Sequence, residues 1–269
     1  MNKTILITGA SDGIGLETAK SLISQGHNVL LHGRNPNKLA NVLNDLSKLS
    51  DEAILETYIA DLSDLNQVQK LIEDISETHD LLDVIINNAG VFSGPDNILE
   101  NGLDIRFVVN TIAPYLLTKG LLHLLPSNGR VVNLSSAAQA PVDLDALLGK
   151  LKLEDYPAYA QSKLAIVMWS NCLALQLKDT DSVVTSINPG SLLASKMVKD
   201  NFGVEGGDLK IGADILVRAA VSEEFENKSG SYFDNDAKYF SDPHPDALDL
   251  YKSKEIVDAI EEVISKLVK

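Results

Sequence analysis

One cysteine, Cys172, occurs in 269 residues, so no internal disulfide can form and no thiolate cluster can hold a metal. A reducing compartment, the cytoplasm, is the natural setting. Cations are scarce as well: 23 Lys and Arg face 38 Asp and Glu, and a formal charge of −15 repels phosphate backbones and anionic lipid. Nucleic-acid and membrane-surface partners are therefore not expected. Long hydrophobic runs are missing too. The most apolar-looking segment, 112–125, carries Pro114, Lys119, Gly120 and His123 and falls short of the ~20 residues of a bilayer span. The opening run Thr4-Ile5-Leu6-Ile7 breaks at Thr8-Gly9, too soon for the core of an export signal. The five histidines (His27, His32, His79, His123 and His244) show no ligand spacing, and no metal is expected.

What remains is ordinary globular composition, 45% hydrophobic and 23% charged, with no repeat, low-complexity stretch or linker to mark a second domain. Short apolar runs rich in β-branched residues alternate with longer helical patterns, the sign of βαβ units wound on a parallel sheet. Strands are predicted near 4–8, 28–32, 53–59, 84–87, 130–134 and 183–187. They are apolar at nearly every position, as strands covered on both faces are. Helices are predicted at 14–25, 36–49, 65–78, 102–124, 159–177 and 209–221, with a closing helix at 247–267. Gly26, Pro36 and Pro126 punctuate them. The fold expected is a single α/β domain over 1–269, a Rossmann-type doubly wound parallel sheet with helices on both faces.

The first strand runs into Thr8-Gly9-Ala10-Ser11-Asp12-Gly13-Ile14-Gly15 and then a helix. Gly9 and Gly13 permit the tight turn, Gly15 lets helix and strand approach, and the helix start offers free N–H groups to a pyrophosphate. The spacing Gly-x-x-x-Gly-x-Gly differs from both Gly-x-Gly-x-x-Gly and the lysine-bearing phosphate loop. Asn87-Asn88-Ala89-Gly90 stands at the end of the fourth strand, and Tyr-x-x-x-Lys occurs twice, at Tyr115–Lys119 and Tyr159–Lys163. Only the second pair follows the strand that ends in Leu134-Ser135-Ser136. Tyr115 and Lys119 are taken as core and surface positions of the fourth helix. Residues four apart share a helix face, so the Lys163 ammonium is expected to favour the Tyr159 phenolate and bring it toward the working range of an acid/base group.

In this order of motifs the chain resembles the short-chain dehydrogenase/reductase family. The 23 positions from Ser136 to Tyr159, the run Gln161-Ser162-Lys163-Leu164-Ala165 and the tail Ser229-Gly230-Ser231-Tyr232-Phe233 are similar to its retinol-dehydrogenase and WW-domain-oxidoreductase branch. The resemblance implies that 1–135 mainly binds the dinucleotide and 136–269 carries the catalytic and substrate-binding part. Tyr159 would exchange a proton with the substrate oxygen, Ser136 hydrogen-bond it, Lys163 hold the nicotinamide ribose and Asn110 support a water relay. Cofactor contacts are implied for Gly9, Ser11, Asp12, Gly13, Ile14, Gly15, Asn88, Ala89, Gly90, Asp61, Leu62, Tyr159, Lys163, Pro189 and Gly190.

The second strand ends in His32-Gly33-Arg34-Asn35, with no carboxylate for a ribose 2′-hydroxyl and a guanidinium suited to a phosphate, so NADP(H) is expected rather than NAD. Arg34 and Asn35 join the cofactor set. Asp12 pulls the other way, because many NADP-preferring relatives carry a basic residue there. The chain departs from the family pattern at Ala113-Pro114 and after Pro189-Gly190, where Ser195 replaces the usual threonine with one extra residue before it. The substrate pocket would be built from the segments 137–157 and 191–207, and a small carbonyl or alcohol compound of apolar character is expected. Oxidoreductase activity is the expectation. A non-catalytic NADP(H)-sensing protein on the same fold is the alternative, disfavoured by the intact Asn110, Ser136, Tyr159 and Lys163. A sugar-nucleotide epimerase is disfavoured because little chain follows the sixth strand. Helices apolar on most sides, 102–124 and 159–177, suggest a homodimer through that pair, or cover by the closing helix.

Overall fold

Side chains along a strand point alternately to the two faces of its sheet, so a strand apolar at every position needs cover on both sides. The computed structural model, which describes residues 2–94 and 96–268 apart from the side chain of Phe202, shows this directly. In β1 (Thr4–Ile7), Leu6 enters the core on one face while Ile5 and Ile7 enter the core on the other. β2 (Asn28–Gly33) and β4 (Val84–Asn87) split in the same way, Leu30 and Ile85 against Val29, Leu31, Val84 and Ile86. One face is covered by α1 (Gly13–Ser24), α2 (Pro36–Leu46) and α9 (Leu209–Val221). The other is covered by α3 (Leu65–Thr78), α5 (Ala113–Leu121) and α7 (Asp155–Gln176).

The remaining strands are β3 (Leu55–Ile59), β5 (Arg130–Leu134), β6 (Val183–Asn188), β7 (Ser231–Asp234) and β8 (Tyr239–Ser241). Their order is β3-β2-β1-β4-β5-β6-β7-β8, all parallel except the antiparallel β7–β8 pair. The winding reverses between β1 and β4, and the crevice outside the carboxyl ends of strands at such a point is where open α/β sheets bind ligands.

The six expected strands and the doubly wound sheet are present, and the structure corrects the details. β7 and β8 extend the sheet beyond the sixth strand; they are short, and β8 lies half-open at the edge. The expected helix 102–124 is divided into α4 (Ile105–Phe107), a π-helical segment (Val108–Ile112), α5 and a 3₁₀ turn (Leu122–Leu124). Short helices α6 (Leu144–Leu147) and α8 (Lys196–Phe202) lie in the two expected substrate segments. α7 begins at Asp155, four residues before the expected start, with Pro157 tolerated in its first turn. The closing helix is two, α10 (Pro245–Leu248) and α11 (Leu250–Leu267).

α11 bears on the question raised by the two apolar helices. It packs along α7 through Ile256, Ala259, Ile260 and Val263, all buried, and Trp169 of α7 is 1% exposed. Glu261 of α11 accepts from the Tyr115 hydroxyl (2.5 Å) and from the Lys119 ammonium. Thus α11 covers much of the apolar surface that suggested a homodimer, while Leu175 of α7 stays exposed. Among the described residues no helix is long and apolar enough to cross a membrane. Sedimentation at micromolar concentration is expected to give a mass near 29.1 kDa; twice that mass would show that a second copy pairs elsewhere.

Candidate active site

The site is built on the first turn. Gly9 has φ +68°, a conformation costly for a side-chain-bearing residue. Gly15 permits close approach, since a Cβ there would lie 2.4 Å from Asn88 Nδ2 and 2.5 Å from the Gly9 carbonyl oxygen. The turn is tied to the end of β4. The Thr8 hydroxyl accepts from the backbone N–H groups of Asn88 and Ala89, both at 3.0 Å, while the Asn88 amide donates to the carbonyls of Thr8 (2.8 Å) and Gly9 (3.2 Å). Asn88 therefore spends its side chain on holding the cradle in shape. Asp12 caps α1, accepting from Gly13 N at 2.8 Å, and Ile14 packs toward Gly212 of α9. Ser11 stands against Gly33 at the end of β2, as a Cβ on Gly33 would meet its hydroxyl at 3.3 Å.

Beyond β2, Arg34 is exposed and, among the described residues, makes no ion pair; Asn35 caps α2, accepting from Lys38 N at 3.0 Å. Asp61 lies after β3 and accepts from the Ser63 N–H and hydroxyl at 2.9 and 2.7 Å, beside buried Leu62. Gly90 sits between the two halves of the site, because a Cβ there would be 3.3 Å from Asn110 Oδ1 and 3.4 Å from Lys163 Nζ.

Lys163 is buried and donates to the Leu134 carbonyl at 2.8 Å, with its ammonium 5.8 Å from the centre of the Tyr159 ring. Burial pulls this lysine down to about 8. The Tyr159 phenol stands above its ordinary value, which corrects the expectation of an activated phenolate. Burial is the dominant cause; the hydrogen bond from the Ser136 hydroxyl acts in the opposite sense and does not overcome it. Phe92 packs against the Tyr159 ring at 5.0 Å between centroids. Ser136 itself is fixed through its carbonyl, which accepts from Tyr232 Oη and Gln139 Nε2, both at 3.0 Å.

Asn110 is 1% exposed, and its side chain is fully engaged: Oδ1 accepts from Val91 N (2.8 Å), and Nδ2 donates to the Val91 carbonyl and the Ser162 hydroxyl, both at 2.9 Å. It lies in the π-helical segment. Pro114, four residues on, has no N–H to give the Asn110 carbonyl, so regular α-helical pairing fails there and the register loosens. That departure was visible in the sequence as Ala113-Pro114, yet its consequence was not read.

Pro189 and Gly190 follow β6 and are held by the β7–β8 hairpin. Asn235 donates to the Pro189 carbonyl at 2.8 Å, and Asp236 accepts from the Ser191 N–H and hydroxyl at 2.9 and 2.6 Å. Asn235, Asp236 and Gln139, and the contact that Tyr232 makes, escaped the sequence analysis because their partners are more than forty residues away or hidden in loop geometry.

His32 escaped it too. Its Nδ1 accepts from the Gly9 N–H at 3.3 Å and its Nε2–H donates to the Ala60 carbonyl at 3.1 Å, joining the turn to the ends of β2 and β3. Only the neutral ring can do both.

Residues 3–204 match the short chain dehydrogenase family model, and the chain belongs to that family of oxidoreductases, in its retinol-dehydrogenase-like branch. It is 31% identical to human retinol dehydrogenase 13 over 253 residues, 86% of this chain and 76% of that one. It is 30% identical to the short-chain dehydrogenase chyC of Penicillium rubens over 267 residues, 96% of each. A short chain dehydrogenase of Escherichia coli solved in complex with NADPH superimposes with a TM-score of 0.71 at 27% identity, covering 87% of this chain and 97% of that one.

Burial drops His32 from 6.5 to about 4, so the unfolded chain takes up the proton first as pH falls. Stability is expected to be full above pH 6.5 and to fall by roughly 3 kcal/mol on reaching pH 4 through this group. Urea melts across that window test it: His32→Gln should flatten the slope, and an unchanged slope would show that His32 carries none of it.

Proposed function

We propose that the protein is an NADP(H)-dependent oxidoreductase that moves a hydride between nicotinamide and a carbonyl or alcohol, using Asn110, Ser136, Tyr159 and Lys163. The observation that carries this is the meeting of a buried ammonium, a partly buried phenol and a serine hydroxyl near Gly90, at the carboxyl edge where the sheet reverses. The cradle fits a dinucleotide. Gly13 has only Ser195 within 4 Å of where a Cβ would stand, and the start of α1 offers N–H groups for a pyrophosphate. Residues 1–135 mainly hold it, through Gly9, Ser11, Asp12, Gly13, Ile14, Gly15, Asp61, Leu62, Asn88, Ala89 and Gly90. Lys163, Pro189 and Gly190 hold the nicotinamide side, and 136–269 supply the catalytic and substrate part.

A bound nicotinamide supplies the hydride. Ser136 donates a hydrogen bond to the substrate oxygen, and Tyr159 gives or takes the proton at its phenol oxygen. Lys163 keeps positive charge near the ring, and Asn110 fixes the loop at Val91 beside it. Exposed Arg34 and Asn35 favour NADP(H), in keeping with the NADPH complex of the Escherichia coli relative. Tyr156, exposed beside Tyr159, supports an apolar substrate. The lone cysteine supports a cytoplasmic setting, and cover by α11 supports a single chain over the expected homodimer.

A panel of carbonyl compounds followed at the NADPH absorbance band identifies the substrate class. Tyr159→Phe is expected to abolish turnover while NADPH binding stays within a few-fold, because only the proton donor is removed. Near-normal rates would overturn the assignment, and Tyr115→Phe should stay active. Arg34→Ala is expected to weaken NADPH by roughly 1.5–3 kcal/mol and NADH far less. Equal losses would mean that Arg34 does not touch a 2′-phosphate.

A further inference from the structure

A turn keeps one shape only when its backbone groups are tied down, and the turn after β6 cannot use the sheet for this. Pairing of β6 with β7 ends at Asn188 and Asp234. Pro189 has no N–H to offer, and Gly190 sits at φ +120°, a conformation that side-chain-bearing residues avoid. The N–H groups of Gly190 and Ser191 therefore go to side chains: the first donates to Asn188 Oδ1 at 3.2 Å and the second to Asp236 Oδ1 at 2.9 Å. The Pro189 carbonyl likewise accepts from a side chain, Asn235 Nδ2, at 2.8 Å.

Asp236 is the hub of these bonds. Its Oδ2 also accepts from the Ser191 hydroxyl (2.6 Å) and from Asn188 Nδ2 (2.9 Å), while the same Asn188 amide donates to Asp234 Oδ1 at 2.8 Å. Three donors thus converge on one carboxylate. Burial pushes that carboxyl up, but the Ser191 and Asn188 hydrogen bonds and the Lys238 charge outweigh it, and the group stays below its ordinary range. Asp236 is exposed and belongs to neither core, so its bonds serve the turn rather than the packing of the sheet. It also stands at a junction. A Cβ on Gly190 would lie 3.8 Å from Asp236 Oδ1 and 3.7 Å from both methyl groups of Leu193, and Ser191 opens the segment 191–207.

We propose that Asp236 is a positioning residue for hydride transfer: from the β7–β8 hairpin it holds Pro189-Gly190-Ser191 in the one shape that seats the nicotinamide ring, touching neither dinucleotide nor substrate. This rests on the reading above that puts the nicotinamide beside Gly190. Without the carboxylate, the adenine half of the dinucleotide keeps its contacts at the ends of β1, β2 and β3, and only the nicotinamide end loosens. That end is where geometry matters most, because a displacement of about 1 Å can cost about a hundredfold in rate.

Three measurements on the full chain separate this role from a general loss of fold: binding of adenosine 2′,5′-bisphosphate, which carries only the adenine half, binding of NADPH, and kcat with a carbonyl compound from the panel. Asp236→Ala should lower kcat roughly ten- to hundredfold and weaken NADPH several-fold, with adenosine 2′,5′-bisphosphate bound as in the wild type. Ser191→Ala removes one of the three donors and keeps the backbone N–H, so it should lower kcat less. Added to Asp236→Ala it should cost nothing further, since the two act through one contact. Thermal melting shows whether each variant is folded; should Asp236→Ala melt early, Asp236→Asn, which keeps the size and loses the charge, carries the same expectation. Unchanged kcat and NADPH binding would overturn the proposal, as would equal losses for adenosine 2′,5′-bisphosphate and NADPH, the mark of a residue that only supports the fold. A wild-type chain that binds neither NADPH nor NADH refutes the reading of the site and this role with it. Preference for NADH refutes the choice of NADP(H) alone, and the same comparison then runs with NADH and adenosine 5′-phosphate. Wild-type turnover that Asp236→Ala leaves unmoved refutes only the role of Asp236.

Discussion

The arrangement of the site depends on one tie, between the glycine turn after β1 and the end of β4. At the point where winding reverses, the two chains leave the sheet in opposite directions and strand pairing stops. The Thr8 hydroxyl and the Asn88 amide take over, meeting the N–H groups of Asn88 and Ala89 and the carbonyls of Thr8 and Gly9. Gly15 then has no room for a side chain, and Gly9 must hold a left-handed conformation. His32 braces the turn from β2 and Ala60. A cradle for an anion has been made from backbone groups, with side chains used to fix its shape.

The other half of the site depends on the mutual placement of two helices. Arg106 of α4, 1% exposed, forks onto Asp104 at 2.6 and 2.7 Å and reaches Asp155 at the start of α7 at 2.5 Å. Asn97 donates to the same Asp155 oxygen at 2.7 Å. Buried ion pairs fix geometry more than they add stability, and this one sets the first turn of α7, which carries Tyr159 one turn later. From the facing side the π-helical segment presents Asn110 to Val91 and Ser162. Each has a local cause: two carboxylates around one guanidinium, and a proline that cannot complete a helix.

Electrostatics runs against the overall charge in a small region. Many of the chain's cations are spent on exposed pairs such as Lys70–Asp74 and Lys254–Asp258, which contribute little. Arg34 makes no ion pair among the described residues, Lys38 is held loosely by Asp12, and Lys163 is buried and pulled down to about 8. On the proposed function these few groups would draw an anionic cofactor to one edge of the sheet in an acidic protein, since local fields near a cleft outweigh net charge at a distance.

The sequence by itself determined the doubly wound sheet, its first six strands, the glycine turn and the Ser136–Tyr159–Lys163 order, because those are signals of period and spacing within a few residues. It also told Tyr159–Lys163 from Tyr115–Lys119 by their position relative to β5, and the structure uses Tyr115 and Lys119 to bind Glu261. It left open whether the apolar sides of α5 and α7 meet a second chain. The tertiary structure lays α11 over much of those sides, and α11 begins more than seventy residues after the end of α7. The sign of the shift at Tyr159 could not be read from a four-residue spacing either. Proximity of the lysine is local, but burial of the phenol comes from the fold closing around it. Likewise Asp12 is only a carboxylate in the sequence, and the tertiary structure alone brings Lys38 from the next helix beside it. Charge and burial act through space, and the chain's spacing records only the neighbours that happen to be close along it.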